Sequence, residues 1–314
     1  MTVADAPATP TGPTRCGFVA LLGAPNAGKS TLLNRLVGSK VSIVSPKVQT
    51  TRSRVLGIAM FDSTQIVFID TPGVFAPKKR LERAMVSAAW GGARDADRIV
   101  VLVDARRGVD DDTRLILDRL KSENRQAVVA INKIDLVKHE SLLGLTAELD
   151  AQELGDGRKL FTETFMISAL TGDGVKALSD FLVGCMPEGP WHYPEDQTAD
   201  IPLRLLAAEI TREKVFLQLS QELPYAAAVE TEAWTERDDG SVRVDQIIYI
   251  RRDSQKMIVL GKAGRRIKAI GSAARKDLED MLDRRVHLFL HVKVRDAWQD
   301  DPARYRDLGL DYNV

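Results

Sequence analysis

Gly23-Ala24-Pro25-Asn26-Ala27-Gly28-Lys29-Ser30 is the stretch that decides the fold. It reads G-x-x-x-x-G-K-S, the spacing of a phosphate-binding loop. The apolar run Phe18-Val19-Ala20-Leu21-Leu22 precedes it and predicts a strand. Thr31-Leu32-Leu33-Asn34-Arg35-Leu36 follows and reads as a helix. Strand, loop and helix in that order are the context the motif needs; a glycine-rich turn that merely carries a lysine needs none of it. Glycines at 23 and 28 let the backbone curl around phosphate oxygens without a side-chain clash. Successive N–H groups through Thr31, at a helix N-terminus, then face the anion. Lys29 is expected to reach the outer phosphates and the Ser30 hydroxyl to hold Mg²⁺. The loop implies a nucleoside triphosphate without specifying the base.

The base is specified downstream. Gln126-Ala127-Val128-Val129-Ala130-Ile131 predicts a buried strand that ends in Asn132-Lys133-Ile134-Asp135, where open α/β sheets place ligand groups. A buried Asp135 carboxylate can accept from guanine N1–H and the exocyclic amine, and adenine would leave it unpaired. The Lys133 stem can lie over the base, and Asn132 can tie neighbouring loops together. Thr64-Gln65-Ile66-Val67-Phe68-Ile69 predicts another strand, ending in Asp70-Thr71-Pro72-Gly73 and then Val74. Asp70 suits a Mg²⁺ contact through water, and the Gly73 N–H suits the γ-phosphate. Phe165-Met166-Ile167-Ser168-Ala169-Leu170 is expected to end a further strand, with N–H groups near Ala169 meeting the guanine carbonyl. Gln49-Thr50-Thr51-Arg52-Ser53 is a polar loop before the strand Val55–Phe61. A threonine there can close on Mg²⁺ only when a γ-phosphate is present, an order–disorder switch; Thr51 is assigned in preference to Thr50. Lys29, Thr51 and Gly73 form the expected catalytic set.

Strands and helices alternate through this first part. Helices are expected over 78–90, 112–121, 140–153 and 175–185, and a buried strand over 98–103. The pattern predicts an α/β fold with a mostly parallel sheet. Pro187-Glu188-Gly189-Pro190 and the polar stretch after it mark a linker. The expected organisation is a tail at 1–14, a first domain at 15–187, a linker at 188–200 and a second domain at 201–314 with its own C-terminal tail. In that second domain 202–208 reads as extended, 211–219 as helix, and 225–234 and 242–251 as two strands. Met257 to Gly271 reads as helix, G-x-x-G turn, helix, and Val286 to Val294 as a closing strand. The turn is Gly261-Lys262-Ala263-Gly264, followed by Arg265, Arg266 and Lys268. Bare glycine backbone and helix termini can approach phosphates closely, and the cations supply charge. Bases are expected in an apolar groove near Ile258 and Ile267.

Composition agrees with two folded domains. The chain has 314 residues, 44% hydrophobic and 28% charged, with a formal net charge of zero, so any basic surface must be local. Cys16 and Cys185 are the two cysteines, beside apolar segments, and read as small core residues rather than a disulfide or metal site. No apolar run reaches membrane-span length. Residues 1–14 lack the cationic start and apolar block of a signal peptide and read as a disordered tail. His287 and His291 are too far apart along one strand to share a metal.

The ordered set G-A-P-N-A-G-K-S, Q-T-T-R, D-T-P-G, N-K-I-D and S-A-L resembles a translation-factor-class GTPase. With the C-terminal G-K-A-G, I-G-S-A-A-R-K-D-L and V-H-L-F-L-H-V-K-V, the chain is similar to the Era family of bacterial ribosome-assembly GTPases from about Cys16 to about Leu310. The resemblance implies a P-loop GTPase domain followed by an α+β KH-type RNA-binding domain. It implies GTP and GDP as ligands, Mg²⁺ as cofactor, 16S rRNA near its 3′ end and the small (30S) ribosomal subunit as partners, and a role in 30S assembly. It also implies a monomer in the cytoplasm, with peripheral contact at the inner face of the cell membrane allowed. Relatives with P-N-x-G-K-S loops can use K⁺ near the phosphates, which makes Asn26 a K⁺ ligand or a brace for the loop. Val74 stands where many GTPases place a water-orienting Gln, so slow intrinsic hydrolysis is expected. Two other readings stay open on the residues: an RNA-binding module whose nucleotide domain is a structural platform, and a P-loop kinase or ATPase. Intact Lys29, Ser30, Asp70 and Asp135 speak against the first, and Asn132–Asp135 against the second.

Overall fold

The computed structural model describes residues 13–45, 47, 50–51, 54–219, 227–295, 302, 305 and 309–314. The chain divides into two compact units. The first takes residues up to Val41, Thr51–Lys78 and Met85–Asp200; the second takes Ser42–Thr50, Lys79–Ala84 and Ile201–Val314. Most of the expected tail, 1–12, lies outside the described residues.

The first unit is a seven-stranded sheet with helices. In chain order it runs β1 (Arg15–Gly23), α1 (Lys29–Val37), β2 (Val55–Phe61), β3 (Thr64–Asp70), α2 (Arg80–Arg94) and β4 (Arg98–Asp104). Then come α3 (Asp111–Ser122), β5 (Ala127–Asn132), α4 (His139–Asp150), β6 (Phe161–Ile167), α5 (Val175–Cys185) and β7 (Ala199–Asp200). Strand order is β6-β5-β4-β1-β3-β2-β7. The five strands β6, β5, β4, β1 and β3 pair in parallel, while β2 pairs antiparallel with β3 and with β7. Parallel strands covered on both faces must be apolar along their length. Val19–Leu22, Ile66–Ile69, Ile99–Val103 and Val128–Ile131 are buried accordingly. The loops at the carboxyl ends of β1, β3, β5 and β6 carry the sequence motifs, the position where such sheets bind ligands. β6 ends at Ile167, so Ser168-Ala169-Leu170 is loop, not strand. Part of the expected linker is bonded to the sheet: Gln65 Oε1 accepts from the His192 and Tyr193 N–H groups at 2.9 and 3.0 Å, and Ala199–Asp200 forms β7. Cys16 is buried and Cys185 half-buried, both as free thiols.

The second unit contains α6 (Leu203–Gln218), β8 (Ala228–Glu236), β9 (Val242–Ile250), α7 (Asp253–Leu260), α8 (Arg265–Leu282) and β10 (Val286–Val294). Its sheet order is β10-β9-β8, with β10 parallel and β8 antiparallel to β9. Pro202–Ala208 is not extended. Leu203 opens α6 after Pro202, and Leu206, Ala207, Ile210 and Val215 are buried on it. That spacing is helical; a short apolar run cannot distinguish the two states by periodicity alone. Leu206, Ala207 and Ile210 pack with Val242, Val244, Leu278 and Val286 in one core. Val215, Ile248, Val259 and Ile270 belong to a second.

Candidate functional site

The Gly23–Ser30 loop joins β1 to α1. Gly28 has φ +102°, and a Cβ there would lie 2.2 Å from Asn132 Nδ2, so conformation and space both require glycine. A Cβ on Gly23 would lie 2.7 Å from the Leu102 carbonyl oxygen. Lys29 Nζ donates to the Gly23 and Ala24 carbonyls, each at 3.0 Å. The ammonium is buried, and desolvation lowers its pKa to about 8; Asp70 opposes the shift and Lys133 adds to it. A cation curled over its own loop by two neutral carbonyls can exchange them for phosphate oxygens, which are stronger acceptors.

Three oxygens converge beside it. Ser30 Oγ donates to Asp70 Oδ2 at 2.7 Å, Thr51 Oγ1 donates to the same oxygen at 3.3 Å, and the two hydroxyls are 2.9 Å apart. Two hydroxyls and a buried carboxylate form the hard donor set that suits Mg²⁺. Thr50 is elsewhere: its Oγ1 donates to the Lys47 carbonyl at 2.6 Å. Gln49, Arg52 and Ser53 of the expected switch lie outside the described residues. Asp70-Thr71-Pro72-Gly73 is fastened to the loop. Thr71 Oγ1 donates to the Leu21 carbonyl at 2.7 Å, and the Val74 N–H donates to the Gly23 carbonyl at 3.1 Å. A Cβ on Gly73 would lie 2.9 Å from Pro25 Cα, so the backbone of 73 abuts the phosphate loop.

Asn132 joins three loops. Its Nδ2 donates to the Ala27 carbonyl at 2.8 Å and its Oδ1 accepts from the Ala169 N–H at 2.9 Å. The Ala169 N–H is therefore engaged, whereas the Leu170 N–H has no partner among the described residues. Lys133 has φ +67°, and its Nζ donates to the Asn26 carbonyl and to Asp104 Oδ2, both at 2.6 Å. Ile134 and Asp135 enter a single 3₁₀ turn. Asp135 is exposed rather than buried, so an unpaired carboxylate is penalised only once a base covers it. Sequence reasoning missed Asp104 and also Arg107, whose Nη1 donates to the Pro25 carbonyl at 3.2 Å. Asp104 ends an apolar strand just as Asp70 does, and that repetition was the available signal.

In the second unit the G-x-x-G turn has positive φ at Gly261 (+70°), Ala263 (+53°) and Gly264 (+72°). Lys262, Ala263, Arg265, Arg266 and Lys268 are exposed. Arg266 is partly committed, since its Nη1 donates to the Ile258 carbonyl at 2.7 Å and closes α7. An open groove of about 460 Å³ runs along α8 and β10, lined by Ile267, Lys268, Gly271, Ser272, Arg275 and Leu288–Leu290. Ile267 lines it as expected; Ile258 does not, and is exposed on α7. Sequence reasoning missed the β10 side, including Phe289, 43% exposed, with the Arg243 guanidinium 4.7 Å from its ring centre. Backbone turn, cations and an apolar wall with an aromatic ring are parts that grip single-stranded RNA.

Residues 18–133 match the family model of 50S ribosome-binding GTPases, and residues 222–299 match that of the KH domain. GTPase Era of Sinorhizobium medicae is 60% identical over 300 residues, 96% of this chain and 95% of that protein. GTPase Era of Rhizobium meliloti is 59% identical over 300 residues, 96% and 94%. A crystal structure of Era with MgGDPNP and nucleotides 1506–1542 of 16S ribosomal RNA superposes with a TM-score of 0.88 at 39% identity, over 96% of this chain and 100% of that one. An Aquifex aeolicus Era variant bound to GDP·AlF4⁻ gives 0.87 at 39%, with the same coverage.

Proposed function

The chain belongs to the GTPase Era family, and from that premise we propose that it is a slow, Mg²⁺-dependent GTPase that grips the 3′ region of 16S rRNA and serves 30S assembly. The observation that carries the reading is the convergence of three sequence-distant segments on one loop. Lys29 and Ser30 belong to it, Thr51 and Asp70 meet Ser30, Asn132 holds Ala27, and Gly73 abuts Pro25.

Ser30 and Thr51, with Asp70 through water, would hold Mg²⁺. When bound, the ion neutralises charge on the outer phosphate oxygens. Lys29 binds those oxygens, and the Gly73 N–H orients the γ-phosphate. Val74 after Gly73 supplies no water-orienting amide, so turnover rests on electrostatic positioning by Lys29 and backbone donors. Asp135 reads the guanine N1–H and amine, while Lys133 covers the base and Asn132 fixes the loops. Asn26 has two assignments, a K⁺ ligand at the phosphates or a brace for the loop. Thr51 follows the nucleotide state within the 49–53 switch. In the second unit Gly261–Gly264 with Lys262, Arg265, Arg266 and Lys268 holds RNA phosphates, and the α8–β10 groove takes bases. No helix among the described residues is long and apolar enough to cross a membrane.

The test is equilibrium binding of the full chain, loaded with a non-hydrolysable GTP analogue, to an oligonucleotide of the 16S rRNA 3′ region and to a scrambled oligonucleotide. Binding at least tenfold tighter to the first is expected. Equal affinity for both overturns the RNA assignment.

A further inference from the structure

Arg35 is a residue the nucleotide motifs do not include. It sits on the second turn of α1, behind the phosphate loop. Its Nε donates to the Ala169 carbonyl at 2.7 Å, and its Nη2 donates to the Leu170 carbonyl. One planar guanidinium thus holds two successive carbonyls of the loop after β6. A fork of this kind fixes orientation as well as position, because its donors lie in one rigid plane. Space is left for it. Gly172 has φ +101°, and a Cβ there would lie 2.9 Å from Arg35 Nη1.

The same loop is gripped at other points, Ala169 among them. Asn132 Oδ1 accepts the Ala169 N–H at 2.9 Å. Ser168 Oγ accepts the Thr171 N–H at 3.1 Å, and the Ser168 N–H donates to the Asp173 carbonyl at 2.9 Å. The Leu170 N–H, by contrast, has no partner among the described residues. With its carbonyls turned toward Arg35, the peptide between Ala169 and Leu170 must direct that N–H the opposite way.

We propose that Arg35 is a positioning residue for base specificity: it locks the Ala169–Leu170 peptide so that the Leu170 N–H faces the oxygen at position 6 of guanine. This rests on the guanine-nucleotide reading of the site. The 6-oxygen is what distinguishes guanine at that edge, since adenine carries a donating amine there and would meet the N–H donor to donor. Asp135 reads the neighbouring N1–H and exocyclic amine. The two readings are separable because they touch different atoms of the base.

The experiment compares wild type, Arg35→Ala and Arg35→Lys for affinity toward GDP, 6-thio-GDP and inosine diphosphate, with thermal unfolding alongside. Sulfur at position 6 is a weak acceptor, so 6-thio-GDP reports the Leu170 contact. Inosine diphosphate lacks the exocyclic amine and reports Asp135 alone. Wild type is expected to favour GDP over both analogues. In Arg35→Ala the preference for GDP over 6-thio-GDP falls roughly five- to tenfold, the worth of one net hydrogen bond, while the preference over inosine diphosphate is unchanged. Arg35→Lys, with a single donor centre in place of the fork, falls between. If Arg35→Ala keeps the wild-type ratio for 6-thio-GDP, or loses both ratios together, Arg35 does not set the 6-position contact and the proposal is overturned. If wild type favours GDP over neither analogue, the guanine reading itself fails, an outcome distinct from the other two.

Discussion

Lys29 is a buried cation whose charge is costly to keep in the folded protein. Its ammonium is buried against two carbonyls, and desolvation brings its pKa down to about 8 from an ordinary 10.5. Folding therefore disfavours the protonated form. The destabilisation is complete below pH 8 and is relieved as pH rises from 8 toward 10.5, so the nucleotide-free protein gains stability across that window, by on the order of 3 kcal/mol. Phosphate oxygens restore the charge. GDP binding at pH 9 is expected to take up close to one proton, seen as a binding enthalpy that varies with the ionisation heat of the buffer. A buffer-independent enthalpy at pH 9 would show that Lys29 stays charged in the free protein. Asp135→Asn tests the base reader. Two acceptor oxygens become one, so GTP affinity should drop by ~1–3 kcal/mol, and xanthosine triphosphate should bind better than GTP because its added carbonyl accepts from the amide. A variant that still prefers GTP would remove Asp135 from the site. Residues at this scale were legible where chemistry and spacing coincide, as at Lys29, Ser30 and Asp70. Asp104 was legible only as a repeat of the strand-end carboxylate at Asp70, and Arg107 and Arg35 were not legible, because what matters there is the direction of a side chain from a helix or loop, which single-chain spacing does not encode.

The G-x-x-G turn between α7 and α8 is the element with the clearest strain signature. A substitution at Gly261 would push a Cβ to 2.7 Å from Arg266 Cβ and loosen the fold, whereas a Cβ at Gly264 meets nothing within 4 Å. Gly264→Asp therefore places a negative charge at the turn for only the modest cost of a positive φ, which aspartate tolerates. RNA affinity is expected to fall at least tenfold with little change in the unfolding temperature. Unchanged RNA affinity in this folded variant would reduce the turn to a plain helical connection. Strand and helix identity followed the sequence closely where patterns were long, as in β10 and α5. It failed at Pro202–Ala208, where an apolar run masked the start of α6, and at 168–170, where Met166-Ile167 looked continuous with the loop after them. Both misreadings concern short apolar runs, whose periodicity fits helix, strand and loop edge alike. The β10 wall of the groove was hidden for another reason. Leu288, Phe289 and Leu290 read as an ordinary strand, and only the place of β10 at the sheet edge shows that Phe289 is exposed and lines the groove.

At the scale of the whole molecule, a formal net charge of zero coexists with a local row of cations at 262–268. The fold class was legible because β–α alternation and the later strand–helix grouping differ so plainly. The division of the chain was less so: 42–50 and 79–84 group with the second unit, a consequence of three-dimensional packing that no local pattern records. Substitutions at separated sites are close to additive, so Gly264→Asp should leave GTP turnover within about twofold of wild type. The most direct measurement is phosphate release from GTP by the full-length chain, with Mg²⁺ and with chelator, in wild type and in Lys29→Ala. We expect slow, Mg²⁺-dependent release by wild type and none by Lys29→Ala. Equal release by the two proteins, or none by wild type, would contradict the assignment of the Gly23–Ser30 site as the centre of a GTP-hydrolysing enzyme.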